Sequence, residues 1–273
     1  MSMNRTDNRK LAVTRREALL LGASGAAFLA LSTNAWAQAW ERLEAARKVI
    51  GDAKPSSEGL VLELPLLSED GSSVPLTVRV EWPMTDGDYV QSIHLFATRN
   101  PSPEIAVFEL TPRAGRANLI TRVRLNESQA VIAVARTNKG VVLATSRDIR
   151  ITQSGCLVRA DTYETTAEMQ ARVRVPERTA AGAPAEVLTL INHPMETGLR
   201  EGPGGKILPQ RIIRSFETTL DGEPVLTARL YRSLAANPYL RFYVAPKASG
   251  KLVFKWTEDT GRTAEQSASI AVG

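Results

Sequence analysis

One cysteine, two histidines and an aromatic content of 5% are what 273 residues offer for soft-ligand and ring chemistry. A closed structural zinc site wants four Cys, His or carboxylate ligands. His94, His193 and Cys156 are the only nitrogen and sulfur donors, so such a site is not expected. A single cysteine cannot form an internal disulfide. Cys156 is therefore an inert buried side chain, half of an intermolecular bond, or a reactive thiol. The 34 basic residues form no block, which argues against a nucleic-acid surface, because phosphate binding needs clustered cations. The longest apolar run, Leu19 to Leu31, falls short of the ~20 residues of a spanning helix. Gly202-Pro203-Gly204-Gly205 lacks the Lys-Ser/Thr pair of a phosphate loop.

That apolar run has another reading. Thr14-Arg15-Arg16-Glu17-Ala18-Leu19-Leu20 has the twin-arginine form, and Ala35-Trp36-Ala37 is an A-x-A-like cleavage site. Residues 1–37 are expected to be an export signal read through Arg15 and Arg16, leaving Gln38 as the mature N-terminus. The mature protein is then expected to be periplasmic, with no membrane segment. Five basic residues (Arg5, Arg9, Lys10, Arg15, Arg16) against Asp7 and Glu17 put +3 of the chain's net +5 in this segment. The pI of 9.5 therefore overstates how basic the remainder is.

Beyond the signal, Trp40, Leu43, Ala46 or Arg47, and Ile50 fall three or four apart, predicting a short helix over 39–50 that Gly51-Asp52 and Pro55 end. From there the period becomes two. Val74, Leu76, Val78, Val80 and Trp82 alternate with Pro75, Thr77, Arg79 and Glu81. Further strands are expected at 60–64, 90–97, 104–110, 117–125, 130–136 and 141–151, with Asn138-Lys139-Gly140 as a hairpin loop. Residues 152–168 break the pattern, small and polar over 152–156 and polar over 161–168, and read as an exposed linker. A second strand-rich unit follows, with Met169, Ala171, Val173 and Val175 alternating. Its later strands are placed near 185–192, 211–219, 224–231, 240–245, 251–257 and 264–272, with turns at Asp221-Gly222 and Thr260-Gly261. The fold class expected is all-β: two tandem immunoglobulin-like β-sandwiches with a short N-terminal helix.

Within that frame His94 falls inside a strand. His193 reads as a turn residue before Pro194, and nothing in the spacing pairs it with Cys156 as a nucleophile–base couple. Glu258-Asp259 reads as a solvated hairpin rather than an acid–base pair. Trp82, Trp256, Phe108 and Phe254 are expected in the core.

The first unit resembles the SoxY family of sulfur carriers through IGDAKP (50–55), VPLTVRVEWPMT (74–85), YVQSIHLFATRNPSPEIAVFELTP (89–112) and GRANLITRVRL (115–125). The second resembles its partner family SoxZ through LINHPMETGLR (190–200), ILPQRIIRSFE (207–217), ANPYLRFY (236–243) and GKLVFKWTEDTG (250–261). The resemblance implies a SoxY–SoxZ fusion: a SoxY-like sandwich over 38–156, a linker over 157–168 and a SoxZ-like sandwich over 169–273. It implies a carrier rather than an enzyme, without a resident cofactor. Sulfur species derived from thiosulfate would be held covalently on Cys156 and shown to Sox-type loading and processing enzymes. Ser154 and Gly155 would form the arm before the thiol. The family's arm is Gly-Gly-Cys-Gly-Gly at a free chain end. Here it reads Ser154-Gly155-Cys156-Leu157-Val158 and continues into the second unit. Fusions of this kind also stand beside quinoprotein dehydrogenases, so a scaffold that docks such an enzyme, with the thiol incidental, is the second function class.

Overall fold

In the computed structural model, residues 39–154 and 168–273 are described; Gly155 and Cys156 of the expected arm, and Arg15 and Arg16, lie outside them. Ala39–Arg42 form a 3-10 turn that leads into α1 (Glu44–Ile50), which stops where Gly51 takes a φ of 64°. The first half then carries β1 (Leu60–Glu63), β2 (Leu67–Asp70), β3 (Val74–Val80), β4 (Met84–Thr85), β5 (Asp88–Ala97), β6 (Glu104–Leu110), β7 (Ala117–Val123), β8 (Gln129–Thr137) and β9 (Val142–Gln153). The second carries β10 (Ala171–Arg174), β11 (Arg178–Thr179), β12 (Ala185–Ile191), β13 (Ile213–Leu220), β14 (Glu223–Leu230), β15 (Tyr239–Val244), β16 (Gly250–Glu258) and β17 (Thr263–Val272). The all-β expectation holds, helix included. Three short strands, β2, β4 and β11, had no signal in the sequence. β9 extends through Thr152 and Gln153, past the expected start of the linker at 152.

The halves are joined edge to edge rather than strung apart. One sheet runs β1-β3-β7-β15-β12-β10; the other runs β11-β17-β16-β13-β14-β6-β5-β8-β9-β2. In each, a strand of the first half pairs antiparallel with one of the second. Leu110 faces Leu226 and Ala106 faces Leu230 across β6 and β14, while Thr121 faces Leu240 and Ile120 faces Arg241 across β7 and β15. An open edge strand is a template for pairing with other chains. Here each half covers the other's edges, so neither β6 nor β7 is exposed.

Alternation explains the layers. β3 buries Val74, Leu76, Val78 and Val80 and turns Pro75 out. β8 is buried on both faces. Val131, Ala133 and Ala135 join the core between the sheets, whereas Ile132 and Val134 pack under α1 with Ala46, Ile50 and Phe96. The helix is thus a lid on the outer face of the longer sheet. The inter-sheet core is continuous from Leu62 in the first half to Trp256 in the second. Phe216 anchors the second half's share, with ring centroids 6.0 Å from Phe242 and 5.1 Å from Trp256. Burying a large apolar side chain of this kind stabilises by roughly 1.5–3 kcal/mol relative to leaving it in water. Trp82 differs: it is half-buried, and its indole Nε1–H donates to Asp88 Oδ1 at 2.7 Å. The β13–β14 hairpin turns on Asp221-Gly222, at φ 51° and 85°, two consecutive left-handed residues that match the twist of the flanking strands.

Candidate carrier site and its anchoring junction

β9 delivers the chain toward Cys156, and its end is held from three sides. β2 pairs parallel with it, Leu67 against Arg150 and Asp70 against Gln153, and Gly71 N–H donates to Gln153 O at 3.0 Å. Ile151 N–H donates to Ser128 Oγ at 2.9 Å, and Thr152 Oγ1 donates to Glu69 O at 3.1 Å. One residue past the strand, Ser154 Oγ donates to Asn126 Oδ1 at 2.8 Å. The expected arm residue Ser154 is therefore a fixed post.

From that post a buried polar chain leads inward. Asn126 N–H donates to Asn100 Oδ1 at 2.9 Å, and Gln129 Nε2 donates to the same oxygen at 2.9 Å. The Asn100 amide gives its protons to Arg124 O at 2.8 Å and Ser233 Oγ at 2.9 Å, so both lone pairs and both N–H groups are used. Ser233 belongs to the second half, and this is where the chain crosses the seam. Arg124 also crosses it. Its Nη1 donates to Met195 O at 3.0 Å and Arg232 O at 3.3 Å, and its backbone N–H donates to Ser233 O at 2.7 Å.

Met195 leads to the second polar cluster. Its φ of 51° is left-handed, a conformation that costs a side-chain-bearing residue, and three hydrogen bonds hold it there. Its carbonyl takes the Arg124 proton, its sulfur accepts from Ile213 N–H at 3.3 Å, and its own N–H donates to His193 Nδ1 at 3.0 Å. With Nδ1 accepting, the ring proton belongs on Nε2, which donates to Glu258 Oε1 at 2.8 Å. Both side chains are fully buried. Burial pushes the imidazole below its ordinary value and outweighs the opposing pull of Glu258. Burial also works to raise the Glu258 carboxyl, but hydrogen bonds from Thr260 and His193 and the charge of Arg262 together bring it below its ordinary value. The pair is a neutral imidazole beside a carboxylate. Arg211 Nε and Arg262 Nη1 lie 3.9 and 3.8 Å from the same Glu258 oxygen. Both arginines reach on to Glu168, at 2.6 and 3.5 Å.

Glu168 is the first described residue after the 155–167 segment. Met169 N–H donates to Asn192 O at 2.8 Å beside it. The residues flanking the segment that contains Cys156 are thus tied into one connected network, Ser154 at one end and Glu168 at the other, which crosses the seam between the halves.

Two sequence readings need correction. Glu258 is a buried partner of His193, not part of a solvated hairpin. Asp259 is also engaged, accepting from Ile212 N–H at 3.2 Å and Gln210 Nε2 at 3.1 Å. His193 does precede Pro194 in a loop, yet its ring is a buried structural acceptor and donor. Asn100, Arg124 and Ser233 were missed altogether. His94 lies in β5 as expected. There burial, with the charges of Arg229 and Arg136, lowers it to about 4, and its Nε2 meets Ser92 Oγ at 3.1 Å. Among the described residues, no three His, Cys, Asp or Glu side chains stand close enough to hold a metal ion.

Comparison with known proteins places both halves. The family of sulfur oxidation protein SoxY matches residues 46–156, so the match ends on Cys156, and the family of sulphur oxidation protein SoxZ matches residues 173–269. No curated protein matches the chain. Among solved structures, the sulfur carrier protein SoxY from Chlorobium limicola f thiosulfatophilum is similar at 24% identity, over 40% of this chain and 93% of that one, with a TM-score of 0.33. A superoxide reductase (neelaredoxin) from Ignicoccus hospitalis is similar at 22% identity, over 43% of this chain and 96% of that one, with a TM-score of 0.31. With both families matched in tandem along one polypeptide, and with strands of the two halves paired in both sheets, the chain is a SoxY–SoxZ fusion of the sulfur oxidation system.

Proposed function

We propose that this fusion is a periplasmic carrier that holds sulfur intermediates covalently on Cys156 and presents them to Sox-type loading and processing enzymes. The observation that carries the reading is positional. The SoxY match ends on Cys156, two residues beyond Ser154, whose hydroxyl donates to Asn126 at the end of the first sandwich. Loading with thiosulfate joins the thiol sulfur to the terminal sulfur of the ion. The S–H bond is lost, an S–S bond forms, one proton goes to solvent and two electrons pass to a redox centre of the loading enzyme. The thiolate is the reacting form. The chain's part is to present the thiol; the oxidation belongs to the partner. Delivery to the periplasm is through Arg15 and Arg16.

The test is intact-mass spectrometry of the mature protein and its Cys156→Ser variant after incubation with loading enzymes and thiosulfate. A hydroxyl is almost wholly un-ionised at neutral pH, so the serine variant is expected to fold and to carry nothing. An adduct on the variant, or a wild-type thiol that labels only after unfolding, would remove the carrier reading. A scaffold for a periplasmic enzyme such as a quinoprotein dehydrogenase would then stand in its place. Replacing Arg15 and Arg16 by Lys should hold the precursor in the cytoplasm; unchanged periplasmic accumulation would refute the export route.

A further inference from the structure

A groove of about 560 Å³ opens on the seam between the halves, lined from the starts of β6 and β13 with the loops that precede them, the end of β14 and the turn that follows it. Arg214, Arg229 and Arg232 line it against a single carboxylate, Glu104. Arg229 makes a solvent-exposed contact of 3.4 Å with Glu109, a pairing of little energetic weight. No carboxylate among the described residues lies within ion-pair distance of Arg214 or Arg232. The backbone under Arg232 is fixed by the Arg124 guanidinium on its carbonyl, and Tyr231 adds a phenol to the lining. Three like charges around one concavity repel one another while it is empty.

From this geometry we infer that the seam groove is a binding site for a small, multiply charged tetrahedral oxyanion. Guanidinium forks match tetrahedral oxygens bidentately, and a dianion offsets the excess positive charge that the groove otherwise bears. A nucleic-acid or acidic-protein surface would need the cations to continue as a stripe, whereas here they are gathered at one groove. That the ion is a sulfur oxyanion, such as thiosulfate or sulfate, rests on the carrier reading above. The groove would bind the free dianion released or supplied during loading, or, more weakly for its single charge, the sulfonate end of a loaded thiol, which offers the same kind of oxygens.

The experiment titrates the mature Cys156→Ser protein with sulfate, thiosulfate and phosphate at constant ionic strength, following amide shifts and heats. Sulfate and thiosulfate should saturate at millimolar concentration or below. The double variant Arg214→Gln, Arg232→Gln should weaken both by about tenfold or more, with unchanged thermal stability. Absence of saturation, or affinity that survives the double variant, overturns the site. So does a groove that binds only an acidic polypeptide. Phosphate binding as tightly as sulfate overturns the sulfur assignment. Repeating the titration on wild type loaded at Cys156 separates the sources: unchanged affinity assigns the groove to dissolved ion, and loss of the free-ion site assigns it to the thiol-borne sulfonate. Sulfate binding without any Cys156 adduct would sink the carrier reading and leave the groove. An adduct without sulfate binding would do the reverse.

Discussion

The two ends of the Cys156 segment are anchored by different chemistry. At the near end, Ser154, Asn126, Asn100, Gln129 and Ser233 are neutral amides and hydroxyls, with Arg124 the one charge among them. At the far end, Glu168 meets Arg211 and Arg262, which also flank the buried His193–Glu258 pair. Neutral groups hold the same hydrogen bonds across the working pH range. Ionisable groups do not. The post nearest the thiol is therefore built to be indifferent to pH, and sensitivity is placed beyond the seam, on the second domain.

The heaviest blow to this arrangement should come from Glu258→Ala. It removes the acceptor of His193 and leaves Arg211 and Arg262 without their buried counter-charge. A buried donor left without its charged acceptor costs about 3 kcal/mol, the upper end for an unsatisfied group. Urea denaturation should show a loss of that order, with Glu258→Gln milder because an amide oxygen still accepts from His193. A loss below about 1 kcal/mol for Glu258→Ala would show that the far anchor contributes little, since that is the range of exposed pairs.

Asn100→Ala ranks next. It strands the Asn126 N–H and the Arg124 carbonyl, and takes one partner each from Gln129 Nε2, which keeps Glu127 O, and Ser233 Oγ, which keeps Ser102 O. An unsatisfied buried group costs about 1–3 kcal/mol, and relaxation keeps the sum below two full losses, so about 2–3 kcal/mol is expected. Hydrogen exchange distinguishes this from general softening: the Ile151 and Asn126 amides should lose protection first.

Asn100 also marks the limit of what the sequence discloses. β6 is legible to the residue because Pro103 precedes it and Thr111-Pro112 follow it, and its apolar content needs a sheet. The thiol's place after the last strand of the first unit follows from the same strand count. Two things were hidden. β2 is exposed at all but Ser68, with no alternation to read, because its role is to cap β9 rather than to fill the core. The seam and its polar junction depend on which edges meet: Leu110 opposite Leu226, and Asn100 opposite Ser233. Nothing in a period of two specifies a partner more than a hundred residues away. Glu258 was misread for a related reason. Thr257-Glu258-Asp259-Thr260-Gly261 has the composition of a solvated turn, and it is His193 from a distant loop, with Arg211, that meets the Glu258 carboxylate.

Acid should separate the two anchors. His193 is held below its ordinary value in the folded state, so the unfolded chain binds its proton first. Its contribution is fully present above about pH 6.5, the unfolded value, and is lost as pH falls below that. His94, lowered to about 4, acts in the same direction over the window from 6.5 down to about 4. Glu258, also lowered, withdraws its share only below its unfolded value near 4.5. Stability measured from pH 7 to pH 4 should therefore decline throughout. In His94→Gln the decline should be smaller, and what remains should belong to the far anchor. Protection of the Met195 amide, corrected for intrinsic exchange, should fall with pH while that of the Asn126 amide stays level. A parallel fall at both amides would erase the contrast between the ends.

The smallest effect is expected at the post itself. Ser154 is half-buried and makes one side-chain hydrogen bond, to Asn126 Oδ1 at 2.8 Å. Ser154→Ala removes that bond but leaves Asn126 able to turn toward water, so the cost should be about 0.5–1.5 kcal/mol. Its value lies in a second readout. β9 stays clamped through Gln153 by Gly71, so the sandwich should keep its protection pattern while the chain from Ser154 to Cys156 loses its fixed origin. Labelling of Cys156 by a small thiol reagent should then quicken by a few-fold, the scale of a bond worth about 1 kcal/mol, with no change in unfolding midpoint beyond the expected loss. An unchanged labelling rate would place the effective anchor of the thiol at Gln153 rather than at Ser154, and would make the near end a property of the β2–β9 pair alone.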